Sequence, residues 1–190
     1  SDKLKDGNLH GVYRVEATLA EPALTSFLPR ADRLSQSGQT IAVPKGNRAL
    51  VNLAVQREHV GGPAMIEVSN PPDGVTFPRV EVPGDCFWYP VVISADGTAP
   101  IAGELSSVRV SSSSGSSSVI GGFAQTVDLV AGSADTLFHG VTVDRLAIAV
   151  VDAMPFTIEF EQPKAHLSGG GSIRLKVFAK RDPGFDAPIR

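Results

Sequence analysis

The sequence predicts an all-β protein, an Ig-like antiparallel β-sandwich present as a tandem or partial repeat. Three observations predict it. Apolar residues recur with a period of two along most of the chain. Turn-forming residues interrupt that alternation about every 8–12 residues. The third is an echo: Gly46–Arg57 reads GNRALVNLAVQR, and 124 residues later Gly170–Arg181 reads GGSIRLKVFAKR. Ala49, Val51, Leu53 and Val55 align in parity with Ile173, Leu175, Val177 and Ala179. A repeat about one domain long points to stacked modules. The second copy stops soon after it begins, so the chain is expected to be a piece of a longer protein.

Taken in order, Tyr13, Val15, Ala17 and Leu19 alternate with Arg14, Glu16 and Thr18, which suggests a first strand. Residues 20–40 carry two prolines and mixed polarity, and read as a long connection with at most a helical turn near Ala31–Leu34. Residues 48–56 form the next strand, with 64–68 as a hairpin partner. Asn70-Pro71-Pro72-Asp73-Gly74 is a rigid corner, because proline cannot donate to a ladder and Asp-Gly favours a turn. Strands follow at 75–82, 86–95, 105–111, 126–130 and 141–150, the last almost continuously apolar and so central. Ser111–Ser118, serine apart from Gly115, reads as a mobile loop. Phe156–Glu161 and 172–180 complete the set.

These assignments divide the chain into three parts. Residues 1–38 hold the closing strand of a preceding module plus a linker, 39–152 an Ig-like sandwich, and 153–190 the opening strands of a second, truncated copy. With 42% hydrophobic residues the chain can bury a core. A net charge of −3 gives no electrostatic reason to approach nucleic acid, and no apolar run approaches the ~20 residues of a spanning helix. The N-terminal SDKLKD is unlike a signal peptide, so an export signal would lie upstream. Cys86 is the one cysteine, which leaves the redox compartment open.

From residue 143 the chain resembles a known family, on VDRLAIAV (143–150), MPFTIE (154–159), GGGSIRLKV (169–177) and AKRDPGFDAPI (179–189). These segments are similar to the Ig-like β-sandwich repeats of large exported proteins from planctomycete-type bacteria. Such repeats often occur beside pre-peptidase C-terminal domains. The first copy carries the NPPDGV corner at 70–75 but has His59-Val60-Gly61-Gly62 where that family has glycine-phenylalanine-aspartate. The resemblance implies an extracellular, periplasmic or cell-surface location and a structural or accessory role. Its partners would be neighbouring modules or other surface proteins, and it implies no catalytic residue.

Motifs for chemistry are sparse. The sequence lacks a G-x-S-x-G elbow, an H-E-x-x-H helix, a Walker A loop and an EF-hand loop. Gly169–Ser172 precedes a strand rather than a helix, and reads as a tight turn. His10, His59, His139 and His166 are scattered singly, as surface or turn residues would be. Cys86 reads as a small buried hydrophobe. Trp88 and Tyr89, in the cluster Asp85–Pro90, are the candidate ligand-binding residues. Alternation puts Phe87 and Tyr89 on one face and Trp88 on the other. An exposed aromatic there could stack on a sugar ring, against the plainer reading of a core plug or interdomain contact. Glu159/Glu161 and Asp182/Asp186 could bind calcium at a module junction, though the first pair fits the solvated side of a strand. No other cofactor is expected. The function expected is a non-catalytic structural or interaction module, with a carbohydrate- or peptide-binding accessory domain of a secreted hydrolase or peptidase as the alternative.

Overall fold

The structure is a computed structural model, and it describes residues 16–17, 19–31, 38–114, 117–132, 137–163, 166 and 169–189. Among these residues every regular element is a strand. In chain order they are β1 (Ala23–Phe27), β2 (Ile41–Pro44), β3 (Arg48–Glu58), β4 (Ala64–Ser69), β5 (Val75–Thr76), β6 (Val80–Val82) and β7 (Trp88–Ala95). There follow β8 (Gly103–Ser114), β9 (Ser117–Phe123), β10 (Gln125–Ala131), β11 (Leu137–Val143), β12 (Leu146–Val151), β13 (Phe156–Phe160) and β14 (Val177–Arg181). The all-β class and a sandwich-like architecture follow directly. The pairing is mixed rather than purely antiparallel: β1 runs parallel to β9, and β2 parallel to β12.

One hydrogen-bonded path runs β2-β12-β8-β9-β1-β3-β7-β5, with β4 attached to β8 and β6 to β4. The core forms where the two ends of this path face each other. Leu53 and Val55 of β3 and Val91 and Ile93 of β7 pack in one cluster with Ile66 of β4, Val110 of β8 and Leu146, Ile148 and Val150 of β12. All are essentially buried, and each such side chain contributes about 1.5–3 kcal/mol relative to exposure. Period-two alternation is the local cause. In β12 the burial alternates residue by residue from Leu146 to Val151, as a strand with one face on a core requires.

Several expectations are corrected. Residues 20–40 are not simply a connection: Ala23–Phe27 is a strand between β3 and β9, and Leu24 and Leu28 enter the core. Ser26 sits on the same buried face, and its polarity hid the alternation. The expected helical turn at 31–34 falls on residues outside those described, apart from Ala31 in a bend. Most of the expected first strand also lies outside them, while Glu16, Ala17 and Leu19 are exposed and in no strand.

The serine stretch is mostly strand, with Gly115 and Ser116 outside the described residues. Ser111–Ser114 end β8 and Ser117–Ser118 begin β9, paired from Ser111 opposite Ile120 to Ser114 opposite Ser117. Ladder pairing satisfies the backbone there, and the buried Ser112 hydroxyl donates to Pro63 O at 2.9 Å, so a polar stretch is tolerated as strand. Residues 64–68 do form a strand, but β4 pairs with β6 and β8 rather than with β3. The connection turns through His59 and Gly62, both at positive φ, and carries the chain to other partners. The expected strand 75–82 is broken around Pro78 into β5 and β6. The expected strand 141–150 is two: Val143 pairs with Gln125 in the β10–β11 hairpin, and after Asp144-Arg145 the chain enters the sheet with Leu146 opposite Ser106.

Beyond β12 the chain forms one more hairpin, β13–β14. Its second strand is shorter than the expected 172–180, since β13 offers partners only from Phe156 to Phe160; one further rung joins Glu161 N to Lys176 O. Core members run from Leu24 to Val150, and no residue of this hairpin is among them.

Candidate functional site

The aromatic cluster lies where β7 begins. Trp88 stands opposite Ala54 and Tyr89 opposite Leu53 on the neighbouring β3. Alternation then separates the two candidates. Tyr89 is half-buried against the core, whereas Trp88 turns outward and remains 53% exposed. The structure therefore does not bring Trp88 and Tyr89 into one site. Phe87, expected on Tyr89's side, is exposed as well, with its ring edge-on to Phe27 at 5.8 Å between centroids.

Trp88 lines a groove of about 490 Å³ between β3 and residues 29–31 and 38–42. Leu50 and Asn52 form its floor, and Arg30 and Thr40 lie in its wall. The sheet geometry explains the floor. Leu50 and Asn52 occupy the outward parity of β3, beside Ala49 and Val51 on the inward parity. An indole, an aliphatic floor and a few polar groups suit a ligand with both apolar and hydroxyl or amide surface. Sequence reasoning passed over Leu50, although an apolar residue among Arg48, Asn52 and Gln56 on the solvent side of a strand was a visible signal. Arg30 was not visible as a site residue at all.

Arg30 is held from the groove wall. It donates to the Asp128 carboxylate through Nη1 and Nη2, the latter at 2.8 Å, and to Thr126 O at 3.1 Å. These hydrogen bonds, with the attraction of the guanidinium, hold the Asp128 carboxyl below the usual carboxylate range against opposing desolvation. Gln125 adds a second link, its Oε1 accepting from Leu28 N at 2.9 Å. The groove wall and the root of the β10–β11 hairpin are thus fastened together.

The other candidates remain apart. His59, His139 and His166 are exposed and isolated, and His10 lies outside the described residues. Cys86 is half-buried against the core, with Sγ 3.8 Å from Asp85 Oδ1. Glu159 and Glu161 are exposed on β13 and just beyond it, and Asp182 and Asp186 flank the turn after β14. Among the described residues no three His, Cys, Asp or Glu side chains converge as metal ligands would. Among them, too, no helix is long and apolar enough to cross a membrane. Gly169-Gly170 forms the expected turn, with Gly170 at φ 74°.

No family model, curated protein or solved structure matches this chain.

Proposed function

We propose that the chain is a non-catalytic module of an exported bacterial multidomain protein, an Ig-like unit over residues 20–152 followed by the start of a second. Its work is spacing, display or contact with neighbouring modules and other surface proteins. The observation that carries this reading is the recurrence of one corner. Arg57, one residue from the end of β3, donates to the carbonyl of Gly62, just before Pro63; Arg181, the last residue of β14, donates to the carbonyl of Ala187, just before Pro188. Gly46 and Gly170, which open the two echoed segments, both take positive φ, at 66° and 74°. A chain that reuses a strand and its anchoring corner is built from modules, and each module needs its own core. Two measurements test the reading. A chain ending at Asp152 is expected to unfold cooperatively at the midpoint of the full chain, and antibody against the unit is expected to stain intact cells until external protease is added. Loss of folding in the shortened chain, or a purely internal location, overturns it.

The exposed Trp88 over its groove favours a second reading, a carbohydrate- or peptide-binding accessory domain. Its test is retention on immobilised polysaccharides and extended peptides, expected to vanish in Trp88→Ala while the unfolding midpoint stays put.

A further inference from the structure

The strand pairs β1–β3 and β13–β14 correspond residue by residue. Leu24 lies opposite Arg57 in the first, and Phe156 opposite Arg181 in the second. With the arginines superposed in register, Ser26 corresponds to Ile158, Leu28 to Phe160, Leu53 to Val177 and Val55 to Ala179. In the first pair this face is buried, covered by the rest of the unit. In the second, Ile158, Phe160 and Val177 are all more than half exposed. Sequence chose larger apolar residues for β13 than for β1, which makes little sense for a face meant to meet water.

The corner tells the same story. Besides Gly62 O, Arg57 donates to Val82 O at 3.2 Å, at the end of β6, and to Pro83 O at 3.0 Å and Cys86 O at 2.9 Å in the connection between β6 and β7. That connection leads into β7, which pairs with the second edge of β3. Among the described residues Arg181 has Ala187 O and the ring of Phe185, 5.5 Å from the guanidinium carbon. Phe185 in turn stacks on Phe156 at 5.8 Å. Among the described residues the corner is anchored on one side only, and β14 pairs with β13 alone, so its outer edge offers its backbone groups for pairing.

We infer that the apolar face and outer edge of β13–β14 dock a strand of the β6–β7 kind, supplied by further polypeptide of the same protein, whose turn carbonyls complete the bonding of Arg181. The occupant has small or branched apolar residues at alternate positions and joins β14 antiparallel, as β7 joins β3. This rests on the modular reading above, yet the two can fail separately: the unit can be self-contained and exported while nothing of this kind docks on the hairpin.

The test uses the full 190-residue chain and a labelled synthetic peptide of its own Val80–Ala95 sequence, under reducing conditions. Saturable binding is expected, weakened at least tenfold in the double variant Ile158→Lys, Phe160→Lys and severalfold in Arg181→Gln. The unfolding midpoint of the first unit, unchanged in all variants, is the folding control. Absence of binding overturns the inference, as does binding indifferent to these substitutions, which would place the peptide elsewhere. A concentration-dependent dimer, dispersed by Ile158→Lys and without peptide uptake, also overturns it, because the occupant would then be a second copy of this chain.

Discussion

Arg30 grips Asp128 across 98 residues of sequence, with Nη2 donating to Oδ1 and Nη1 to Oδ2. The side chains are only 24% and 10% exposed. The pair ties the segment after β1 to β10, and so fixes the base of a hairpin that otherwise projects several apolar residues, Leu129, Val130 and Phe138 among them, into solvent. Because the folded state holds Asp128 below its ordinary value, the pair's contribution is complete above the usual carboxylate range. It is lost as pH falls through the depressed value. The expected outcome is a drop in amide-exchange protection factors, taken relative to the intrinsic rate at each pH, in 125–131 and 137–143 on acidification, while β3 and β7 keep theirs. Asp128→Asn should produce the same loosening at neutral pH and remove its pH dependence.

Ser26 provides a different kind of test. Its hydroxyl is buried in the described structure without a hydrogen-bond partner, and Val55 lies opposite it. A buried, unsatisfied hydroxyl costs about 1–3 kcal/mol, so removing it relieves a penalty. Ser26→Ala is expected to leave stability unchanged or raise it by about 1 kcal/mol, as read from the denaturant midpoint. A loss above about 1 kcal/mol would mean that the hydroxyl has a partner in solution.

The parallel contact of β1 and β9 requires a residue without a side chain. A Cβ on Gly121 would lie 1.7 Å from Leu24 O and 2.6 Å from Leu24 C, which no rotamer change can relieve. At the next residue, Gly122, the nearest atom is Val108 O at 3.6 Å, an ordinary contact. Gly121→Ala should therefore part the two strands and cost about 1–3 kcal/mol or more, whereas Gly122→Ala should change the midpoint little. Equal effects at both sites would contradict the close approach.

Much of this architecture could be read from residue pattern alone, and the misses share a cause. β3, β4, β7 and β13 were found because their own side chains alternate. β1 and the serine-rich ends of β8 and β9 were not, because their pairing is dictated by neighbours: Ser26 by Val55 of β3, Ser112 by Val119 of β9. Pairing partners were likewise beyond reach. Nothing local tells β4 to seek β8, 40 or so residues on, instead of β3. At the candidate site, alternation foretold that Trp88 and Tyr89 would part, but which face met solvent depended on the whole core. The groove wall, brought in by the Arg30–Asp128 pair, had no sequence signal.

The echo itself yields the sharpest comparison, at Leu53 and Val177, which are 124 residues apart and equivalent in register. Leu53 is wholly buried, so Leu53→Ala should cost about 2–5 kcal/mol through lost burial and the cavity left behind. Val177 is 64% exposed, and Val177→Ala should move the unfolding midpoint of the same chain hardly at all. The contrast depends on cover, not on residue type. Once the face of β13–β14 is covered by a strand of the proposed kind, the Val177 substitution should begin to weaken that association as Leu53→Ala weakens the first unit. Titration of the Val80–Ala95 peptide against Val177→Ala measures this: reduced affinity is the expected result, and unaltered affinity would separate the two positions despite their shared place in the repeat.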